Sequence, residues 1–146
     1  MVKRIAIIPA RGGSKRIKNK NIKLFCGKPI ILRTIEIVTK SRLFSKIHIS
    51  TDSNKIKKVC EKKIKIDFDR PKKIAGDKIS VMSVVKYVLE KYKSLGEEFD
   101  EAWLIFPCST LLDKKDYLNI KKILNENLNK KTVLAVSEFP APIERS

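Results

Sequence analysis

The sequence predicts an α/β domain built on a mainly parallel sheet. Short apolar runs alternate with amphipathic stretches of helical period along the chain, and the first run ends in a glycine-containing basic turn. At 146 residues with 42% hydrophobic content, the chain has enough material for one core. The first strand is Ile5-Ala6-Ile7-Ile8, stopped by Pro9 and the turn signal Arg11-Gly12-Gly13-Ser14. A helix over 30–40 follows, with Ile31, Ile35 and Val38 on one face. Residues 46–50 alternate as a short strand, and a helix from about Asn54 buries Ile56, Val59 and Cys60. Ile64-Lys65-Ile66 reads as a third, weaker strand.

The second half repeats the rhythm. Val81, Val84, Val85, Val88, Leu89 and Tyr92 form a helical stripe with Ser80 as its N-cap. Residues 102–106 read as a buried strand. A helix after Asp113 turns Tyr117, Ile120, Leu124 and Leu128 inward, and residues 132–136 supply the last strand. The proline-rich run 139–146 reads as a loop leading onward. Residues 1–146 are therefore one α/β domain.

The net charge of +17 is unevenly placed. Residues 1–50 hold 13 of the 33 Lys+Arg but only Glu36 of the 16 acids, so the cationic excess concentrates where a phosphate-bearing ligand would meet the first strand. Cys26, Cys60 and Cys108 are odd in number and far apart, which fits a reduced compartment better than a disulfide framework or a zinc site. The apolar run 5–8 is too short for a signal-peptide core, and no stretch nears the roughly 20 apolar residues that span a bilayer. The expectation is a soluble cytoplasmic protein with no membrane partner.

Ligands of open α/β sheets bind beyond the carboxyl ends of the strands. The first such place here is the loop from Pro9 through Asn21. Its Gly12 and Gly13 let backbone approach an anion, Ser14 offers a hydroxyl, and Arg11, Lys15, Arg16, Lys18 and Lys20 bring charge. The spacing is neither a Walker A loop nor G-x-G-x-x-G. A triphosphate cradle is the chemical reading; a solvated basic loop is the plain alternative.

The runs Ile7-Ile8-Pro9-Ala10-Arg11-Gly12-Gly13-Ser14-Lys15-Arg16, Lys20-Asn21-Ile22 and Gly27-Lys28-Pro29-Ile30 resemble the N-terminal signature of acylneuraminate cytidylyltransferases. Ser50-Thr51-Asp52-Ser53, Arg70-Pro71, Ala75-Gly76-Asp77 and Phe139-Pro140 with Pro142-Ile143 follow in that family's order, the last leaning towards its pseudaminic or legionaminic acid branch. The resemblance implies a three-layer, Rossmann-like fold of the nucleotide-diphospho-sugar transferase type. It also implies a Mg²⁺-dependent reaction in which the anomeric hydroxyl of a nonulosonic acid sugar attacks the α-phosphate of CTP and pyrophosphate leaves. Arg11, Lys15 and Lys20 match its phosphate-binding positions, with Arg11 and Lys20 as the catalytic candidates. Ala10, Gly12, Gly13 and Ser14 complete the nucleotide-binding loop, Asn21 matches a cytosine contact, Arg70 a nucleotide contact, and Ser80 lies near a nucleotide-contacting hydroxyl.

Several of these residues also have structural readings. Asp52 reads as a helix N-cap, Asp77 as a tie within its own loop, and His48 as facing solvent or a packed helix without a catalytic role. Trp103 and Phe106 read as core.

The sequence departs from the family pattern in two ways. Phe106 stands where sialic-acid members carry an amide that reads the base, and no acid lies between Trp103 and Leu112 to serve as a metal ligand. The sequence also ends at Ser146, before the family's late acidic metal ligands, its sugar-binding part and its homodimer-forming arm, so the metal ligands are unknown. The expectation is weak CTP binding and poor turnover by these residues alone. Two other readings are a basic nucleic-acid-binding module and an inactive nucleotide-binding fragment; low aromatic content and charge held in a loop argue against nucleic acid.

Overall fold

Every residue from Ile5 to Ile8 is completely buried, and the strand they form, β1 (Arg4–Pro9), is the centre of the molecule. The computed structural model describes residues 2–127 and 132–136. After β1 come a hairpin of β2 (Leu24–Phe25) and β3 (Lys28–Pro29), helix α1 (Ile30–Ser41), strand β4 (Lys46–Ser50) and helix α2 (Asn54–Cys60). Helix α3 (Val81–Ser94), strand β5 (Glu101–Leu104) and helix α4 (Lys114–Glu126) follow, with single 3-10 turns at Lys20–Ile22 and Lys72–Ile74.

The main sheet has the order β4-β1-β5, with both neighbours parallel to β1. A parallel strand flanked by helices on both faces must be apolar throughout, which is why β1 does not alternate. Its side chains still divide by face. Ala6 and Ile8 enter a cluster with Ile31, Ile35 and Val38 of α1, Ile56 and Cys60 of α2, and Tyr117 of α4. Ile5 and Ile7 meet Val85, Val88 and Tyr92 of α3. The three-layer α/β arrangement expected from the sequence is therefore present. Among the described residues no helix is long and apolar enough to cross a membrane.

Helix ends follow local chemistry. The Ser80 hydroxyl accepts from the Ser83 amide at 3.3 Å and starts α3. Asp113 and Asp116 form a reciprocal capping box at α4. The β2–β3 hairpin turns at Cys26 and Gly27, both at positive φ (47° and 76°), as a two-residue hairpin turn requires; it was not among the elements read from sequence.

Two expected strands are absent. Residues 64–66 form no strand: only Ile66 is buried, and the segment beside β4 is held by side chains, with the Lys46 ammonium 3.1 Å from Asp67 Oδ2. Residues 132–136 likewise form no strand. Leu134 and Val136 are 78% and 88% exposed, because an extended segment becomes a strand only beside a partner ladder and none of the described strands pairs with it. The expected inward Leu128 and the run 139–146 lie outside the described residues. Trp103 is core as expected, edge-on to Phe44 at 5.2 Å and stacked on Tyr117.

His48 is buried against α3. Its Nδ1 lies 3.1 Å from the Tyr92 hydroxyl, which donates to Asp67 Oδ2 at 2.8 Å. With the tyrosine proton committed to Asp67, Nδ1–H donates to the Tyr92 oxygen and Nε2 is left bare, without a partner. Burial holds His48 down from 6.5 to about 4; Asp67 opposes that shift, and Arg70 and Lys46 reinforce it.

Candidate functional site

The carboxyl ends of β1 and β4 meet at Pro9 and Ser50, which are register partners. Directly after Pro9 the buried Ala10 donates its amide to the Ser50 carbonyl at 2.8 Å. The same carbonyl accepts from Arg70 Nη2 at 2.7 Å, while Arg70 Nε donates to Ser50 Oγ at 3.1 Å and the Arg70 amide to the Thr51 carbonyl at 2.8 Å. One carbonyl thus joins the ends of two strands to the segment entering α3. Arg70 is only 6% exposed, and its charge is tolerated because both oxygens of Ser50 receive it. Burial pulls the guanidinium below its usual value; the Asp52 carboxylate works against that shift and the charge of Arg11 adds to it.

The basic loop is pinned at both ends. The Gly12 amide donates to Asp52 Oδ1 at 2.9 Å. A Cβ on Gly12 would stand 2.9 Å from Ser53 Cβ, so a side chain there displaces the β4–α2 connection. Asp52 is therefore not the N-cap of α2: the cap position belongs to Ser53, and Asp52 ties two loops together. At the far end, buried Asn21 donates Nδ2 to the Arg11 carbonyl at 3.0 Å. Gly13 meets no such restriction, since a Cβ there finds open space.

Above this frame lies a cavity of about 530 Å³. Arg11, Ser14, Lys15, Arg16, Lys20, Asn21 and Arg70 line one part of it; Ile74, Ile79, Val84 and Phe106 line another. Of the sequence-derived candidates, the structure brings Arg11, Ser14, Lys15, Lys20, Asn21 and Arg70 together around the cavity. Ala10, Gly12 and Gly13 belong to the same loop without lining the cavity, and the Ser80 hydroxyl is engaged in capping α3. Arg16 and Lys20 have no carboxylate within 4.0 Å among the described residues, which leaves their charge available to an anion. Phe106 is 50% exposed and faces the cavity instead of joining the core, because β5 ends at Leu104 and the chain has turned out of the sheet before it. Cys108 also lines the cavity and had not been singled out. The link that positions this loop is Thr34 Oγ1 on α1, which donates to the Pro107 carbonyl at 2.8 Å.

Among the described residues Asp77 is the one acid in the lining. It does not tie its own loop. Its carboxylate pairs with Arg11 Nη1 and Lys15 Nζ, each at 2.6 Å, and the bond from Lys15 foremost holds it below the ordinary carboxylate range, with Arg11 adding to the effect. Among the described residues no three His, Cys, Asp or Glu side chains converge; the two carboxylates beside the loop, Asp52 and Asp77, receive the Gly12 amide and the Arg11 and Lys15 cations.

A family model described as "Cytidylyltransferase" matches residues 5–96, which run from β1 through α3 and include the basic loop, Arg70 and Asp77. The chain is 35% identical, over 99% of its length, to the pseudaminic acid cytidylyltransferase of Campylobacter jejuni subsp. jejuni, of which it covers 62%. It is 38% identical, over 97% of its length, to a Helicobacter pylori protein named as both pseudaminic acid cytidylyltransferase and UDP-2,4-diacetamido-2,4,6-trideoxy-beta-L-altropyranose hydrolase, of which it covers 27%. The chain thus spans less than two thirds of the length of either relative. A solved CMP:2-keto-3-deoxy-manno-octonic acid synthetase complexed with CTP superposes with a TM-score of 0.71 at 18% identity, covering 86% of this chain and 48% of that one, which shows a shared fold. The matched stretch carries the basic rim and most of the cavity lining, so fold and sequence converge, and the chain belongs to the cytidylyltransferase family.

Proposed function

We propose that residues 1–146 form the nucleotide-binding domain of an enzyme that transfers CMP from CTP to a nonulosonic acid sugar and releases pyrophosphate. The observation carrying this reading is the rim of Arg11, Lys15, Arg16 and Lys20 around a cavity at the carboxyl ends of β1 and β4. A transfer at the α-phosphate asks little covalent chemistry of the protein; it asks for in-line positioning and for neutralisation of the leaving pyrophosphate. Arg11, Lys15 and Lys20 receive the phosphates, Asn21 and Phe106 face the nucleoside, and Arg70 holds the floor of the site. The names of the relatives point to a pseudaminic acid as the acceptor class. Such reactions use a divalent cation to hold the phosphates. Mg²⁺ is the expected metal, with the nucleotide phosphates and water supplying most of its ligands. A cytosolic supply of CTP and the three free cysteines favour a cytoplasmic setting.

Calorimetric titration with CTP, UTP and ATP at matched ionic strength tests the binding role. CTP is expected to bind tightest. Equal affinities, or competition by single-stranded nucleic acid that falls steeply with salt, would instead make the rim a general polyanion surface. Pyrophosphate release with CTP, Mg²⁺ and pseudaminic acid tests the transfer.

A further inference from the structure

The segment from Arg70 to Ser80 crosses the cavity as a strap fixed at its two ends. At one end the Arg70 backbone and guanidinium are bonded to Thr51 and Ser50; at the other, Ser80 caps α3. Between them the hydrogen bonds are local turns: Ile74 to Pro71, Ala75 to Lys72 and Ile79 to Gly76. The polar contacts that join residues 71–79 to the rest of the described chain are the two Asp77 ion pairs, to Arg11 and to Lys15. Both cations line the cavity, and they are two of the three to which the phosphate-binding role has been assigned.

A carboxylate held between two cations of a phosphate cradle occupies the ground that phosphate oxygens would take. We propose that Asp77 is a built-in occupant of this cradle, which gives up Arg11 and Lys15 to a bound polyphosphate and thereby releases the strap. The proposal rests on the reading of the rim as a phosphate site. The lining acid is well exposed, as is Lys15, so the pairs are weak enough to be exchanged for a ligand of higher charge. Asp77 then sets a threshold: a polyphosphate displaces it, whereas a single weak anion competes poorly. The strap itself carries Ile74 and Ile79 on the cavity wall, so its release changes the shape of the site as well as its charge.

The test uses inorganic tripolyphosphate and CTP with the parent chain, Asp77→Asn, and Glu90→Gln on α3 as a control of equal charge change away from the cavity. Asp77→Asn is expected to bind tripolyphosphate about three- to tenfold tighter at low salt, with the gain shrinking as salt rises. Glu90→Gln is expected to change affinity less than about twofold. Trypsin cleavage after Lys72, Lys73 and Lys78 is expected to quicken in Asp77→Asn. Unchanged or weaker tripolyphosphate binding by Asp77→Asn overturns the proposal, as does an equal gain in Glu90→Gln or unchanged cleavage of the strap. Tighter tripolyphosphate binding without preference for CTP over UTP would uphold the role of Asp77 and sink the cytidine reading.

Discussion

Arg70 and Lys20 are both cations lining one cavity, yet they do opposite things. Arg70 is buried, and its guanidinium is spent on the Ser50 carbonyl and hydroxyl. Lys20 is exposed and has no carboxylate within 4.0 Å among the described residues. The site thus divides into a floor of satisfied hydrogen bonds, made by Ala10, Gly12, Ser50, Asp52 and Arg70, and a rim of cations. Floors of this kind contribute stability and geometry, while exposed cations contribute affinity and little stability. A positioned anion site needs both, because charge without a fixed frame binds any polyanion.

The largest expected effect is on the floor. Arg70→Ala removes two hydrogen bonds from a buried charged group and leaves a cavity, so a loss of about 3 kcal/mol is expected in chemical unfolding. Arg70→Lys is expected to recover only part of it, since an ammonium lacks the fork that meets Ser50 twice. A change below about 0.5 kcal/mol would erase the distinction between floor and rim.

His48 sits two residues before Ser50 and supplies a pH test of the same floor. Its value in the folded chain is about 4 against an ordinary 6.5, so between those values the unfolded chain holds the extra proton. Stability is full above about pH 6.5 and falls as pH drops towards 4, by at most about 3 kcal/mol from this group. Urea unfolding of the parent and of His48→Phe at pH 7 and pH 4.5 measures it, and the parent is expected to lose more. Asp67 is tied to the same network. Burial alone would raise it, but the Tyr92 hydrogen bond and Lys46 outweigh burial and keep it low. Its own stabilising effect is lost as pH falls through its lowered value, below the window set by His48.

Gly12→Ala ranks next. The added Cβ meets Ser53 Cβ at 2.9 Å, and the backbone must shift at the bond to Asp52, for about 1–2 kcal/mol. Gly13→Ala is expected to change stability by less than about 0.5 kcal/mol, because nothing lies within 4 Å of its Cβ. The smallest stability effect belongs to the rim: Lys20→Ala is expected to leave unfolding unchanged within about 0.5 kcal/mol while weakening CTP about tenfold. A stability loss as large as that of Gly12→Ala would move Lys20 from rim to floor.

Much of the fold was legible because its signals are local. The uniform burial of 5–8, the stripe from Val81 to Tyr92, the cap at Ser80 and the helix start after Asp113 each depend on neighbours in sequence, and each stands in the structure. Residues 64–66 and 132–136 carry comparable apolar patterning and form no strand, since a ladder needs a second chain segment that periodicity does not name. The site shows the same division. The basic loop could be read from its composition, but the pairing of Asp77 with Arg11 and Lys15 spans more than 60 positions. The bond from Gly12 to Asp52 spans 40. The exposed position of Phe106 depends on where β5 ends, a boundary that apolar content alone placed two residues too late.

By itself, then, the sequence determined the alternation of strands and helices, the cations that gather after β1 and the order of motifs that marks a cytidylyltransferase. Tertiary structure decided which charges are spent and which remain free. Arg70 became floor, Arg11 and Lys15 acquired an internal partner, and Lys20 stayed open. The reason is physical. Helix and strand preferences are set within a few residues, whereas desolvation and hydrogen bonding depend on what the fold brings within about 3 Å.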